Sequence, residues 1–251
     1  MAAMLAMKGR GSSFPFRNHT FLFYDLPYDF RMKIEIVSDP VCPWCFIGKR
    51  RLEQALAQRP DMQFEIAYRP FQLNPDLPEE GVDRASYLEA KFGGPARAKE
   101  IYARIKAEGA KEGLALNIEG IARQPNTLAA HTLLRWGITA GVQFELKEAL
   151  LRAYFTENRD IGDHAVLADI AGSVGMDAAL VKQLLDEGRD RDIAEQEDAM
   201  ARQMGVSGVP FFIFERKYGV SGAQAPETLL QVIDKVAEEL ASGELAPSDT
   251  E

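Results

Sequence analysis

Two cysteines, Cys42 and Cys45, are the only ones in the chain, and they stand in a single Cys-x-x-Cys. Disulfide exchange needs one thiolate that attacks and a second thiol that resolves the mixed disulfide. Two cysteines at this spacing, at the start of a helix, supply both. Pro43 suits a first helical turn, where its missing N–H would be unpaired anyway. Cys42 then lies at the helix N-terminus, where free N–H groups and the dipole favour a thiolate. Cys45 lies one turn in, on the stripe Cys45, Gly48, Leu52, Ala55 and Leu56, and is expected to be less exposed. The roles follow: Cys42 is the nucleophile and Cys45 the resolver. Neither Pro43 nor Trp44 carries a positive charge, and Asp39 upstream disfavours a thiolate. Cys42 is therefore expected below the free value, nearer about 7 than the extreme of about 3.5. The competing readings are a structural disulfide, half a zinc site, or chance. Zinc needs two more ligands, and the three histidines, His19, His131 and His164, form no close pair.

The surrounding pattern is what a redox site requires. Residues 33–38 are a short β-branched run that reads as a buried strand. The helix from Pro43 follows, broken at Pro60, and residues 63–68 read as a second strand of a βαβ unit. Residues 69–80, with Pro70, Pro75 and Pro78, form a loop. From Asp83 to about Met204 the periodicity is helical throughout, with Asp163 and Asp177 placed as N-caps and Gly175 and Gly188 as stops. Strand character returns at residues 210–214, Glu215 and Arg216 make a turn, residues 217–220 pair back, and a last helix starts at Pro226. The expected divisions are an extension over 1–31, an α/β part over 32–82, an all-helical insertion over 83–204, a second α/β part over 205–240, and a polar tail over 241–251.

Composition narrows the function classes. The chain has 251 residues, 46% hydrophobic and 27% charged, with a net charge of −9. That balance argues against a nucleic-acid binder, which needs a basic face. No apolar run reaches the roughly 20 residues of a membrane span. With so few cysteines, disulfides are not the scaffold, and a reducing, cytoplasmic setting is expected. Residues 1–31 carry Lys8, Arg10, Arg17 and Arg31 against Asp25 and Asp29, leaving −11 on the remainder. They lack signal-peptide order, and an upstream start or disordered extension is favoured over a targeting segment.

Three stretches, Asp39-Pro-Val-Cys-Pro-Trp-Cys-Phe-Ile-Gly48, Pro125-Asn-Thr127 leading to Ala130 and His131, and Gly205-Val-Ser-Gly-Val-Pro-Phe-Phe-Ile-Phe214, resemble the DsbA family and most closely its FrnE-like branch. Ser221-Gly-Ala-Gln224 after the hairpin fits as well. The resemblance implies a thioredoxin-like α/β fold with a large inserted all-helical domain. It implies dithiol–disulfide oxidoreductase activity on protein disulfides or thiols, with glutathione as a small-thiol alternative, and no cofactor or metal. It also implies that Val209 and Pro210 form a cis-proline loop facing the cysteines, and that Pro43, Trp44, Val209, Pro210, Asn126 and His131 bind substrate.

Plainer readings stand beside these. His131 suits a hydrogen-bonded core histidine, and Asn126 suits a helix N-cap. Glu35 suits either a proton acceptor beneath Cys45 or an exposed strand residue, and Lys49 a solvated charge. Some FrnE-like proteins carry a further cysteine pair, which this chain lacks, so a relay between two disulfides is excluded. Two other functions remain open. Hydroxychromene-carboxylate isomerases and kappa-class glutathione transferases share the layout but usually place serine where Cys42 stands. A non-catalytic binding or chaperone module is the other.

Overall fold

The computed structural model describes residues 31–246. The extension expected over 1–31 therefore lies outside the described residues except for Arg31, as does the tail beyond residue 246.

Strand β1 (Arg31–Ser38) leads through a tight turn into α1 (Pro43–Leu56), and β2 (Gln63–Pro70) returns parallel to β1. Later in the chain, β5 (Phe211–Phe214) pairs antiparallel with the other edge of β1, and β6 (Tyr218–Ser221) pairs with β5. The sheet order β2-β1-β5-β6 makes β1 interior. Its period-2 alternation then buries residues on both faces. Met32, Ile34 and Ile36 point to one side, where they pack with Phe212 and Phe214, with Leu52 and Ala55 of α1, and with Leu229, Ile233 and Val236 of α9 (Pro226–Ser242). Apart from Ala55, each of those side chains contributes about 1.5–3 kcal/mol on burial. Val37 points to the other side, against Phe71, Val206 and Ala201.

The hairpin turn is set by its backbone. Glu215 and Arg216 both have positive φ, 46° and 52°. Two left-handed central residues are what a twisted two-residue hairpin requires. The Glu215 carboxylate accepts from Lys33 N–H at 2.6 Å, which anchors this turn to β1.

Between β2 and β5 lies the helical block: α2 (Arg84–Phe92), α3 (Pro95–Lys111), α4 (Leu128–Thr139), α5 (Gln143–Phe155), α6 (His164–Ser173), α7 (Ala178–Asp186) and α8 (Arg191–Gln203). Asp163 caps α6 through Ala165 and Val166 N–H, and Asp177 caps α7 through Ala179 and Leu180 N–H. Gly175 and Gly188 follow those helices with positive φ, as stops. The block is not wholly helical. A short 3-10 turn covers Ile118–Gly120, and Val82–Asp83 (β3) pairs antiparallel with Arg123–Gln124 (β4). Two-residue strands leave no periodicity for a sequence to show.

Helix α1 belongs to both cores. Leu52 and Ala55 face the sheet, whereas Phe46 and Ile47 join the core of the helical block. The first turn of α1 is thus held at the junction of the two parts.

Candidate active site

Cys42 is the N-cap residue of α1, with extended backbone at φ −93° and ψ 114°, and Pro43 opens the helix. Cys42 N–H donates to Asp39 O at 3.0 Å, closing the turn that ends β1. Both thiols are free and buried, Cys42 at 4% exposure and Cys45 at 3%. The difference in exposure expected from sequence is therefore absent. The Cys42 thiol donates to Val209 O at 3.5 Å. The Val209–Pro210 peptide bond is cis. The approach is close because residue 48 is glycine: a Cβ there would meet Pro210 Cγ at 2.9 Å and Phe212 Cζ at 3.2 Å. Trp44 is exposed at 36% and Pro43 is half-buried, so these two form the outer rim.

The electrostatics reverse one expectation. Its hydrogen bond to Cys45 and its burial push the Cys42 thiol well above the ordinary thiol value. Burial opposes ionisation of Cys45 as well, but the Cys42 thiol, the Lys147 charge and the Ser38 hydroxyl outweigh it and hold Cys45 below the ordinary value. The two sulfurs share a proton, so the pair gives up its first proton more readily than its second. A helix terminus alone predicts the opposite shift for Cys42. It loses here because Cys42 is hydrogen-bonded to Cys45 and buried, with Asp39 adding like charge.

Beneath the sulfurs lies a group of buried polar side chains from distant parts of the chain. Asp39 is fully buried, and its carboxylate accepts from Leu73 N–H at 2.7 Å and Val41 N–H at 3.3 Å. His131 of α4 places Nε2 3.7 Å from Asp39 Oδ1, and this nitrogen has no hydrogen-bond partner among the described residues. Lys147 of α5 is wholly buried, with its ammonium 5.4 Å from the Tyr68 ring centroid. Neither Lys147 Nζ nor Tyr68 Oη has a hydrogen-bond partner among the described residues. His131 is thus buried in the core, but its Nε2 lacks the hydrogen bond expected for it among the described residues and faces the Asp39 carboxylate instead.

Other candidates stand elsewhere. The Asn126 side chain accepts from Leu128 N–H at 2.9 Å and Gln72 Nε2 at 3.0 Å, and donates to Leu77 O at 2.8 Å. It ties the loop after β2 to the start of α4, although Thr127 holds the N-cap position. Glu35 pairs with Arg69 and lies 3.8 Å from Arg216, on the side of β1 away from Cys45's helix. Lys49 is not solvated: it is 3% exposed, pairs with Glu148 at 2.9 Å and sits 4.1 Å from the Phe144 ring centroid. Among the described residues no group of three or more His, Cys, Asp or Glu could hold a metal ion.

Sequence reasoning overlooked Lys147, Ser38 and Tyr68. For Lys147 a signal existed. Gln143, Lys147, Leu150, Leu151 and Tyr154 share a helical spacing, and all are buried. A lone lysine on an apolar stripe is a candidate for a buried charge.

Comparison with known proteins agrees with this architecture. The solved structure of the probable DsbA oxidoreductase SCO1869 from Streptomyces coelicolor is 32% identical, with a TM-score of 0.75 over 88% of this chain and 94% of that one. The uncharacterized protein YwbO of Bacillus subtilis is 27% identical over 181 residues, 72% of this chain and 85% of its own length. A 2-hydroxychromene-2-carboxylate isomerase shares the fold at 14% identity, with a TM-score of 0.62 over 86% of this chain and all of that one. The family described as DSBA-like thioredoxin domain matches residues 33–234, which run from β1 to α9 and include both cysteines and Pro210. The chain belongs to that family of DsbA-like thioredoxin-fold proteins.

Proposed function

We propose that the protein is a cytoplasmic dithiol–disulfide oxidoreductase of FrnE-like type. It exchanges disulfides with protein or small-thiol substrates through Cys42 and Cys45. The observation that carries this reading is the pair of free thiols at the start of α1, with Cys42 against the Val209 carbonyl. An extended substrate would lie alongside Val209 and Pro210, pairing with backbone as an added strand, with Trp44 and Pro43 at its rim.

The shared proton passes from Cys42 to Cys45, and the Cys42 thiolate attacks one sulfur of a substrate disulfide. That disulfide breaks, and its leaving thiolate takes a proton. Cys45, deprotonated in turn, attacks Cys42 Sγ in the mixed disulfide. The Cys42–Cys45 bond forms and the second substrate thiolate leaves and is protonated. The protein loses two electrons and the substrate gains two; the reverse sequence oxidises a dithiol. No nucleic acid or cofactor enters this scheme.

A glutathione-dependent isomerase or transferase is the second reading, favoured by the fold shared with the isomerase structure. The two diverge on Cys45, which an isomerase does not need. Insulin-disulfide reduction and glutathione-dependent isomerisation should be assayed side by side on wild type and Cys45→Ser. Reduction that is lost in the variant supports the proposal. Isomerisation that survives in it, without reduction by wild type, overturns the proposal. Client binding without either activity would point to the chaperone-type module instead.

A further inference from the structure

The helical block places one cation under the cysteines. Gln143, one turn before Lys147, forms a two-point clamp on β2: its amide oxygen accepts from Tyr68 N–H and its amide nitrogen donates to Tyr68 O, both at 2.9 Å. That clamp fixes the side of α5 from which Lys147 projects, and its ammonium stands over the Tyr68 ring. The ammonium is completely buried and has no hydrogen-bond partner among the described residues. Isolated buried ammonium groups are costly, so a chain keeps one only where a compensating charge is near. The charges that act on it are those of Cys45, Asp39 and Cys42, against that of Lys49, and its ring neighbour is Tyr68 of β2. Asp39 already spends its carboxylate on the N–H groups of Val41 and Leu73 and on the approach of His131. The second anion acting on it is the one the dithiol makes when it is reduced.

We propose that Lys147 is a positioning residue of the dithiol: its buried ammonium stabilises the negative charge of the reduced pair, so the redox state of the site sets the charge balance at the base of the helical block. This rests on the dithiol reading above. When the Cys42–Cys45 bond forms, the thiolate disappears and the cation keeps only the Asp39 charge of the two anions that act on it. Lys147 thus favours the reduced, dithiol form. Its own proton affinity is lowered by burial, and the nearby Cys45 and Asp39 charges work against that fall. Removing the thiolate removes part of that support.

The test uses the full chain and a glutathione redox buffer. Lys147→Met keeps the length of the side chain and removes the charge, and Lys147→Gln serves if the methionine variant does not fold. The expected result is an equilibrium shifted at least tenfold toward the disulfide, about 30 mV for two electrons. The thiolate absorbance of the reduced variant should also titrate at higher pH than wild type. A folded variant with an unchanged equilibrium and an unchanged titration would overturn the proposal. A readout on wild type alone guards against two unfolded variants: with lysines labelled by carbon-13 at Cε, the buried amine should titrate at lower pH in the oxidised form than in the reduced form. Equal midpoints in the two forms would overturn it equally. Failure of wild type to reduce insulin would instead strike the dithiol reading itself, and these equilibrium measurements keep the two failures apart.

Discussion

Lys147 and Glu148 are neighbours in sequence, yet they belong to two differently built regions of the interface between α5 and the rest of the site. On the Glu148 side, Lys49 and Arg50 of α1 meet Glu53 and Glu148 in a closed network. Lys49 lies 2.9 Å from Glu148, and Arg50 is 2.8 Å from Glu53 and 3.0 Å from Glu148. Every charge there has an opposite partner in direct contact. On the Lys147 side, Lys147, Tyr68 and His131 all keep a polar atom without a hydrogen bond among the described residues. A satisfied buried network rigidifies, whereas an unsatisfied one is where an extra or missing charge is felt most strongly. The same helix pair thus carries a clamp on one side and a charge-sensitive pocket on the other.

Substitutions separate the two. The largest effect is expected at the sulfurs. Cys42→Ser should abolish insulin-disulfide reduction, and Cys45→Ser should accumulate mixed disulfides visible as mass adducts. Equal loss of activity with no trapped adduct in Cys45→Ser would reverse the assignment of attacking and resolving sulfur. In the clamp, Lys49→Met should lower stability by about 2–3 kcal/mol, because Arg50 still partners the two glutamates it leaves behind. Urea unfolding of oxidised and reduced protein should show that loss equally in both forms. A loss confined to one form would erase the distinction between the regions.

Titration sharpens the distinction. Cys45 has a folded-state pKa below its unfolded value. Between the folded value and the free thiol value of about 8.5 the unfolded chain binds more protons. Reduced protein should therefore gain stability as pH rises through that window, and lose it as pH falls through the folded pKa. The oxidised protein has no thiol to titrate and should lack this component. Parallel pH–stability curves for the two forms would contradict it. The smallest effect is a control remote from the cysteines: Asp163→Ala removes the cap of α6, with its bonds to Ala165 and Val166 N–H. It should cost about 1 kcal/mol by calorimetry and leave the redox equilibrium unchanged.

What the sequence disclosed follows the range of each interaction. The cysteine pair, the proline at the first turn of α1, the caps at Asp163 and Asp177 and the turn at Glu215 and Arg216 are local, and adjacent residues report them. Strands β3 and β4 escaped notice because two residues make no pattern. The underside of the site escaped because Asp39, Tyr68, His131 and Lys147 converge only after the helical block has folded back over β2. Lys49 misled for a related reason. A lysine just past a helix start reads as solvated until α5 arrives to cover it.

The close approach at Gly48 has a further consequence. The gap between α1 and the Pro210 loop is narrower than a methyl group. Residue 48 therefore acts as a spacer of minimum thickness, and the distance between the Cys42 sulfur and the backbone it faces is calibrated by a hydrogen atom. Substitutional freedom along α1 is uneven for that reason. The outward positions tolerate exchange, while at this one position even alanine would translate into a displaced loop, a longer reach for Cys42 and a groove of different width.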